Sequence, residues 1–228
     1  MKYLRKFDSH TDYAAVESGF TLPNVSLCEQ EDEVHYKPIP GPYNRHKYVD
    51  LGLPSGTLWA TMNVGATSVT DYGDYYKLGM GSKTYVNDGL VYTGNENPIA
   101  LSADTAAQVW GGVWYTPTET QMRELTANTT YQWVTNYKGS GVNGGLFTAQ
   151  NGNSIFLPAA GIWSFGEYEY EGDSGYYWSS SPKGNGNDAV FMEVSSYGGG
   201  VSDNIRELGY SIRPVAEPVG PVMNFEEK

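Results

Sequence analysis

Cysteine and histidine are nearly absent from this chain. Of its 228 residues one is cysteine, Cys28, and three are histidine, His10, His35 and His46. A single cysteine excludes an intramolecular disulfide and a multi-cysteine zinc site, and fits folding in a reducing cytoplasm. Between Tyr48 and Val215 there is neither residue. A Ser-His-Asp triad, a Cys-His pair or a histidine-ligated metal would need the N-terminal segment to complete it. Phosphate-cradling glycine motifs are missing too, since "GVWYTPTET" and "GGGVSDN" have neither of the spacings such loops need. Basic residues are scarce: 14 Lys and Arg stand against 26 Asp and Glu, a formal charge of −12. Gripping a phosphate backbone takes a basic face, so nucleic acid is a poor partner, and anionic membranes are disfavoured likewise. No apolar run of membrane-spanning length occurs, and "MKYLRKFDSHTDY" lacks the apolar stretch of a signal peptide.

What the chain has instead is aromatic residues and turns. Aromatics make up 14% with 19 Tyr and 6 Trp, beside 28 Gly and 12 Pro. That balance predicts many turns, short strands and little helix, an α+β class. Residues 1–40 differ in character, being charged and holding His10 and His35. A short helix is expected over His10 to Ser18 with Thr11 as its N-cap, then strands in "FTLPNVSLC" and "EVHYKP". The Pro- and Gly-rich residues 41–47 read as a linker, residues 48–216 as the main domain, and residues 217–228 as a flexible tail.

Within the main domain, two strand-like runs flank the turn Pro54-Ser55-Gly56. "GLFTAQNGNSIFLPAAG" is the strongest hairpin signal, with Asn151-Gly152 placed for a type I′ turn. "GYYWSSS", "DAVFMEVSS" and "LGYSIRPV" add three strands. Two helices are expected. One begins at Thr116, with Pro117 in its first turn and Glu119 completing a capping box. The other follows Ser102. Trp59, Trp110, Trp114 and Trp178 lie in regular runs and belong to the core.

Three features carry chemistry. In "GEYEYEGD" the acids Glu167, Glu169, Glu171 and Asp173 alternate with Tyr168 and Tyr170, which puts acids and rings on opposite faces of an extended segment. Paired carboxylates can serve a carbohydrate-active enzyme, although such a run is more often a solvated face. Trp163, Phe165, Tyr168 and Tyr170 have little apolar company and suit a binding surface. From Gly175 to Asn204, 20 of 30 residues are Gly, Ser, Tyr, Asn or Asp, the alphabet of antibody contact loops and of ordinary turns. Oxygen-rich loops such as "GNGNDA" and "SDN" leave calcium as a weak further option; no other cofactor is indicated.

In order, "YVDLGLPSGTLWATMNVGA", "YGDYY", "WGGVWYTPTETQMREL", "GNSIFLPAAG", "GYYWSSS" and "GYSIRPV" resemble the Fibrobacter succinogenes major paralogous domain, over roughly Tyr48 to Val215. That resemblance implies a C-type lectin-like fold, related to that of the formylglycine-generating enzymes. The enzymes depend on active-site cysteines, which this stretch lacks, so no enzyme activity is implied. The ending "YWSSS … GYSIRPV" is similar to the variable proteins of diversity-generating retroelements. In these, adenines of the gene are rewritten and Asn codons scatter into Tyr, Ser, Gly, Asp and others. The leader "LRKFDSHTDY … LPNVSLCEQEDEVHYKP" resembles that of Bacteroides phage and prophage virion proteins.

By position, the resemblance makes Gly175, Tyr177, Trp178, Ser179, Ser180, Ser181, Gly209, Ser211, Arg213 and Pro214 framework. It makes Trp163, Phe165, Glu167, Tyr168, Tyr170, Asp173, Lys183, Asn185, Asn187 and Asp188 variable, ligand-binding positions. Ser195, Ser196, Tyr197, Ser202, Asp203, Asn204 and Glu207 complete the set. Adenine changes alone do not turn Asn into Trp, so Trp163 departs from the pattern. The implied function is a phage tail receptor-binding protein contacting a bacterial surface protein or glycan. Residues 1–40 would bind other virion proteins or assemble a homotrimer, and the protein would be made in the bacterial cytoplasm and carried on the virion. A bacterial surface adhesin or fimbrial component is the first alternative, and the carbohydrate-active enzyme is the second.

Overall fold

The computed structural model describes residues 5–6, 13–14, 46–80, 94–184 and 186–218. The chain divides into two compact units, Met1–Glu33 and Val34–Lys228. In the first, β1 (Arg5–Lys6) pairs antiparallel with β2 (Tyr13–Ala14). A helix over His10 to Ser18 is therefore not formed: Tyr13 and Ala14 are extended and paired. So short a helix is marginal without tertiary support, and a strand pairing displaces it easily. The strands expected at Phe20 to Cys28 and Glu33 to Pro38 lie outside the described residues.

The second unit is mostly β with two short helices, the coarse form of the α+β expectation. Its elements are β3 (Tyr48–Asp50), β4 (Leu58–Ala60), α1 (Thr105–Val109), β5 (Trp114–Tyr115), α2 (Glu119–Asn128) and β6 (Thr129–Val134). There follow β7 (Gly144–Ala149), β8 (Ser154–Pro158), β9 (Ile162–Ser164) and β10 (Glu167–Glu169). The last are β11 (Ser174–Lys183), β12 (Asp188–Ser195), β13 (Gly198–Ile205) and β14 (Val215–Ala216). They make four antiparallel sheets, ordered β3-β4-β14-β5, β6-β7-β8, β10-β9 and β11-β12-β13.

The first of these sheets joins the beginning and end of the domain. Val215 pairs with Trp59 on one side and Tyr115 on the other. Just before it, Arg213 is buried and donates from Nε to Asn63 Oδ1 (2.9 Å) and from Nη1 to the Ala60 carbonyl (3.1 Å). Burial lowers its pKa to about 10. The expected strand "LGYSIRPV" is broken up instead. Tyr210 bridges Tyr76 and Ser211 bridges Tyr177, so neighbouring residues bond to different partners. Pro214 has no N–H to continue a ladder.

Helix α2 starts two residues later than expected. Its capping box is Thr118 with Gln121, the Gln121 Oε1 accepting from the Thr118 N–H at 2.9 Å. Thr116 is occupied elsewhere, giving both its N–H (3.0 Å) and its hydroxyl (3.0 Å) to the buried carboxylate of Asp104. Asp104 also caps α1, accepting from the Ala107 N–H at 2.9 Å, so that helix begins after Asp104. The β7–β8 turn closes with the Gly152 N–H on the Ala149 carbonyl (3.0 Å), and only Gly152 of the Asn-Gly pair has positive φ. A type I′ turn needs both residues in that region, and Asn151 is held out of it by donating its amide to the Asp50 carbonyl at 3.0 Å.

Trp59, Trp110, Trp114 and Trp178 are buried as expected. The serines after Trp178 serve a register shift in β11. Ser179 donates to the Val190 carbonyl (2.8 Å) and Ser181 Oγ accepts from the Glu119 N–H (3.0 Å), tying the strand to α2. The β6–β8 and β11–β13 sheets meet at Tyr131. Its ring fits between Gly145 and Gly199, where an added Cβ would approach it to 2.7 and 2.9 Å. Its hydroxyl donates to the Ser195 carbonyl at 2.6 Å.

Candidate functional site

Exposed aromatic side chains collect where the β9–β10 hairpin lies beside the β11–β13 sheet. Trp163 pairs with Tyr168 across the hairpin, and the rings meet edge-on at 4.4 Å. On the other side of Tyr168 stands Tyr75, at 5.2 Å. Tyr75 is itself fixed, its hydroxyl reaching the Ala160 carbonyl and the Glu171 carboxylate (3.2 Å for the latter). Burial and the Glu171 charge push the Tyr75 pKa up. Tyr168 is thus 56% exposed yet held from two sides. Trp163 exchanges both backbone hydrogen bonds with Gly209 at 2.8 Å, which binds the hairpin to the segment carrying Tyr210.

The strand alternation expected for "GEYEYEGD" holds over Glu167–Glu169 and fails at Tyr170. Tyr170 has φ 61 and its carbonyl accepts from the N–H groups of Asp173 and Ser174, both at 3.0 Å. Phe165, at the hairpin tip, has φ 46 and is 65% exposed. Both are bulky residues in left-handed backbone, a conformation that favours Gly and Asn. Gly161 keeps the loop in place: with φ 69, any Cβ there would strike the Glu169 carbonyl and come within 2.7 Å of the Glu171 nitrogen.

Tyr170 leads to the sheet, its ring 6.2 Å from that of Tyr176 on β11. Tyr176 rests on the core through Tyr210 (5.4 Å) and Phe191 (5.8 Å). It pairs across the ladder with Glu193, which pairs with Gly200. These residues share one sheet face with Ser202 and Asn204, because side chains at even spacing point the same way. Asn204 donates to the Tyr210 hydroxyl at 3.0 Å. Burial raises the Tyr176 pKa, as do the charges of Glu193 and Glu169, while a hydrogen bond with Ser174 opposes the rise.

The residues named from sequence do not all share this face. Trp163, Phe165, Glu167, Tyr168, Tyr170 and Asp173 belong to the hairpin and the loop after it, and Ser202 and Asn204 to the sheet beside it. Lys183, Asp188 and Asp203 stand on the opposite face by register, where Lys183 and Asp203 form an exposed ion pair at 3.7 Å. Asn187 is exposed in the β11–β12 loop, its carbonyl accepting from the Arg206 N–H (3.1 Å), and Glu207 is exposed after β13. Asn185 lies outside the described residues. Ser196 and Tyr197 form the β12–β13 turn, with Tyr197 99% exposed. Ser195 is buried and shapes that turn, its Oγ accepting from the Tyr197 N–H at 3.3 Å.

Sequence reading passed over Tyr75, Tyr176 and Glu193. The cross-strand pairing of Tyr176 with Glu193 is the signal that would have found them, but it requires the register of β11 on β12. Among the carboxylates considered for catalysis, Glu171 is engaged by the Tyr75 hydroxyl, while Glu167 and Asp173 are exposed. Among the described residues no group of three or more His, Cys, Asp and Glu side chains is placed to hold a metal ion. Nor is any helix among them long and apolar enough to cross a membrane. His46 lies flat on Trp110, ring centroids 3.6 Å apart, and burial lowers its pKa.

Residues 132–215 match a family described as a domain of unknown function, DUF8237. They run from β6 to β14 and take in the hairpin and the sheet face just described. No curated protein matches the chain, and no solved structure does.

Proposed function

We propose that the protein is a non-enzymatic, diversified ligand-binding protein on a C-type lectin-like fold. Its role in this reading is that of a phage tail receptor-binding protein which contacts a bacterial surface ligand through the β9–β10 hairpin and the adjoining sheet face. The observation that carries the reading is the run of exposed rings Phe165, Tyr168 and Tyr170 on a braced support. Large aromatic side chains held in place give contact area at low entropic cost. Phe165 and Tyr170 add a second support. Their left-handed backbone suits Asn, the residue whose codons a retroelement rewrites. Trp163 fits the framework better than the variable set, since it is half-buried and bridged to Gly209.

Binding of fluorescently labelled protein to intact Bacteroides cells tests the reading. Tyr168→Ala together with Tyr170→Ala is expected to lower binding at least about tenfold, as central aromatic contacts do. Lys183→Ala with Asp203→Ala, on the opposite face of the sheet, is expected to change it little. Equal binding by both double variants, each melting like the parent, would sink the assignment of the face.

A further inference from the structure

The face around Tyr176 also says what its ligand carries. It is open: a Cβ added at Gly200 meets no atom within 4 Å. Two rings border it, Tyr170 and Tyr176, and two carboxylates stand by them: Glu193 is the cross-strand partner of Tyr176, and Glu169 ends β10 directly before Tyr170. Around it the chain is acidic throughout. From Gly139 to Pro182 there is no Lys, Arg or His, while Glu167, Glu169, Glu171 and Asp173 fall in the same stretch. The nearest following cations are committed elsewhere: Lys183 pairs with Asp203 on the opposite face, and Arg206 is buried, donating to the Asp188 and Gly94 carbonyls at 3.1 and 2.8 Å. Ring faces and carboxylates in a stretch that carries no cation of its own attract ammonium and guanidinium groups and repel anions.

We propose that this face recognises a protein segment presenting lysine or arginine side chains, the cation resting over Tyr176 beside Glu193 and near Glu169. The inference rests on the binding role proposed above and narrows it to a basic protein ligand, against an anionic glycan or a neutral sugar.

The test titrates the full chain with a short capped oligolysine peptide and with the same peptide acetylated on every Nε. Only the charged peptide is expected to bind. Glu193→Gln is expected to weaken it about tenfold, the loss of one charge-assisted contact. Raising salt from roughly 0.05 to 0.5 M should weaken it comparably. Gly200→Val narrows the open floor from a Cβ that meets no atom within 4 Å, and should lower affinity at an unchanged melting temperature. Equal binding of the acetylated peptide, or affinity indifferent to Glu193→Gln and to Gly200→Val, overturns the proposal. Cell binding separates the two claims. Binding lost in Tyr168→Ala but indifferent to salt and to Glu193→Gln overturns the basic ligand and leaves the binding role intact. Charge-dependent peptide binding by a protein that binds no cells upholds the cation face and overturns the cell-surface role.

Discussion

Phe165 offers a measurement of what the hairpin gives up for its exposed ring. Its φ of 46 is a conformation L-residues avoid, and the side chain is 65% exposed. Comparing Phe165→Ala with Phe165→Asn isolates the backbone, because both remove the same ring and its contacts. Left-handed backbone costs an ordinary residue about 1–2 kcal/mol. Asn occupies it several-fold more often than most, which corresponds to about 1 kcal/mol of relief. The Asn variant should therefore exceed the Ala variant by about 1 kcal/mol in urea denaturation, or by about 2–4 °C in melting temperature for a domain of this size. Both should bind cells less well than the parent. If Ala equals or exceeds Asn in stability, the left-handed tip is not under strain. The backbone at Phe165 would then give no preference for an Asn codon over any other.

Other outcomes follow from the same structure. Asp104→Ala strands the Thr116 N–H, the Thr116 hydroxyl and the Ala107 N–H, and should destabilise the domain by about 3–5 kcal/mol in chemical denaturation. Thr116→Val, which removes one of those donors, should have a smaller effect. His46 titrates below its usual value because burial disfavours its charge. The unfolded chain then takes up the proton first as pH falls, so stability present at pH 8 should decline as pH drops below about 6.5. His46→Phe, which keeps the stack on Trp110, should flatten that decline. Gly161→Ala should cost at least about 2 kcal/mol and displace the Tyr170 loop, lowering cell binding with it. Its replacement at Gly172, where an added Cβ meets nothing within 4 Å, should cost less.

Much of the scaffold was legible because its residues state their own preferences. The four core tryptophans, the β7–β8 hairpin and both helices could be read from hydrophobic runs and turn residues. What failed did so where a distant partner overrode a local signal. Thr116 and Glu119 look like a capping box, but Asp104 claims Thr116 and the cap moves to Thr118 and Gln121. "YGGGVSDN" looks like loop, yet becomes strand β13 because β12 offers it a ladder and Tyr131 needs the space above Gly199. The site divided in the same way. The hairpin aromatics were visible as apolar residues without apolar company. Tyr176 and Glu193 were not, because their pairing depends on register across a turn. Asp203 stands between Ser202 and Asn204 in sequence, and alternation along the strand sends it to the other side, where it meets Lys183.

The sheet that holds β14 between β4 and β5 has a practical meaning. Among the described residues the domain's first strand, β3, and its last, β14, are built into one sheet, while the aromatic face belongs to others. Both run antiparallel to β4 and so parallel to each other, which puts the entry at Tyr48 and the exit after Ala216 at opposite ends of the sheet. Tension between these two points would load the hydrogen bonds on either side of β4 in shear, all together rather than one after another. The frame would then give way only when a whole strand slides.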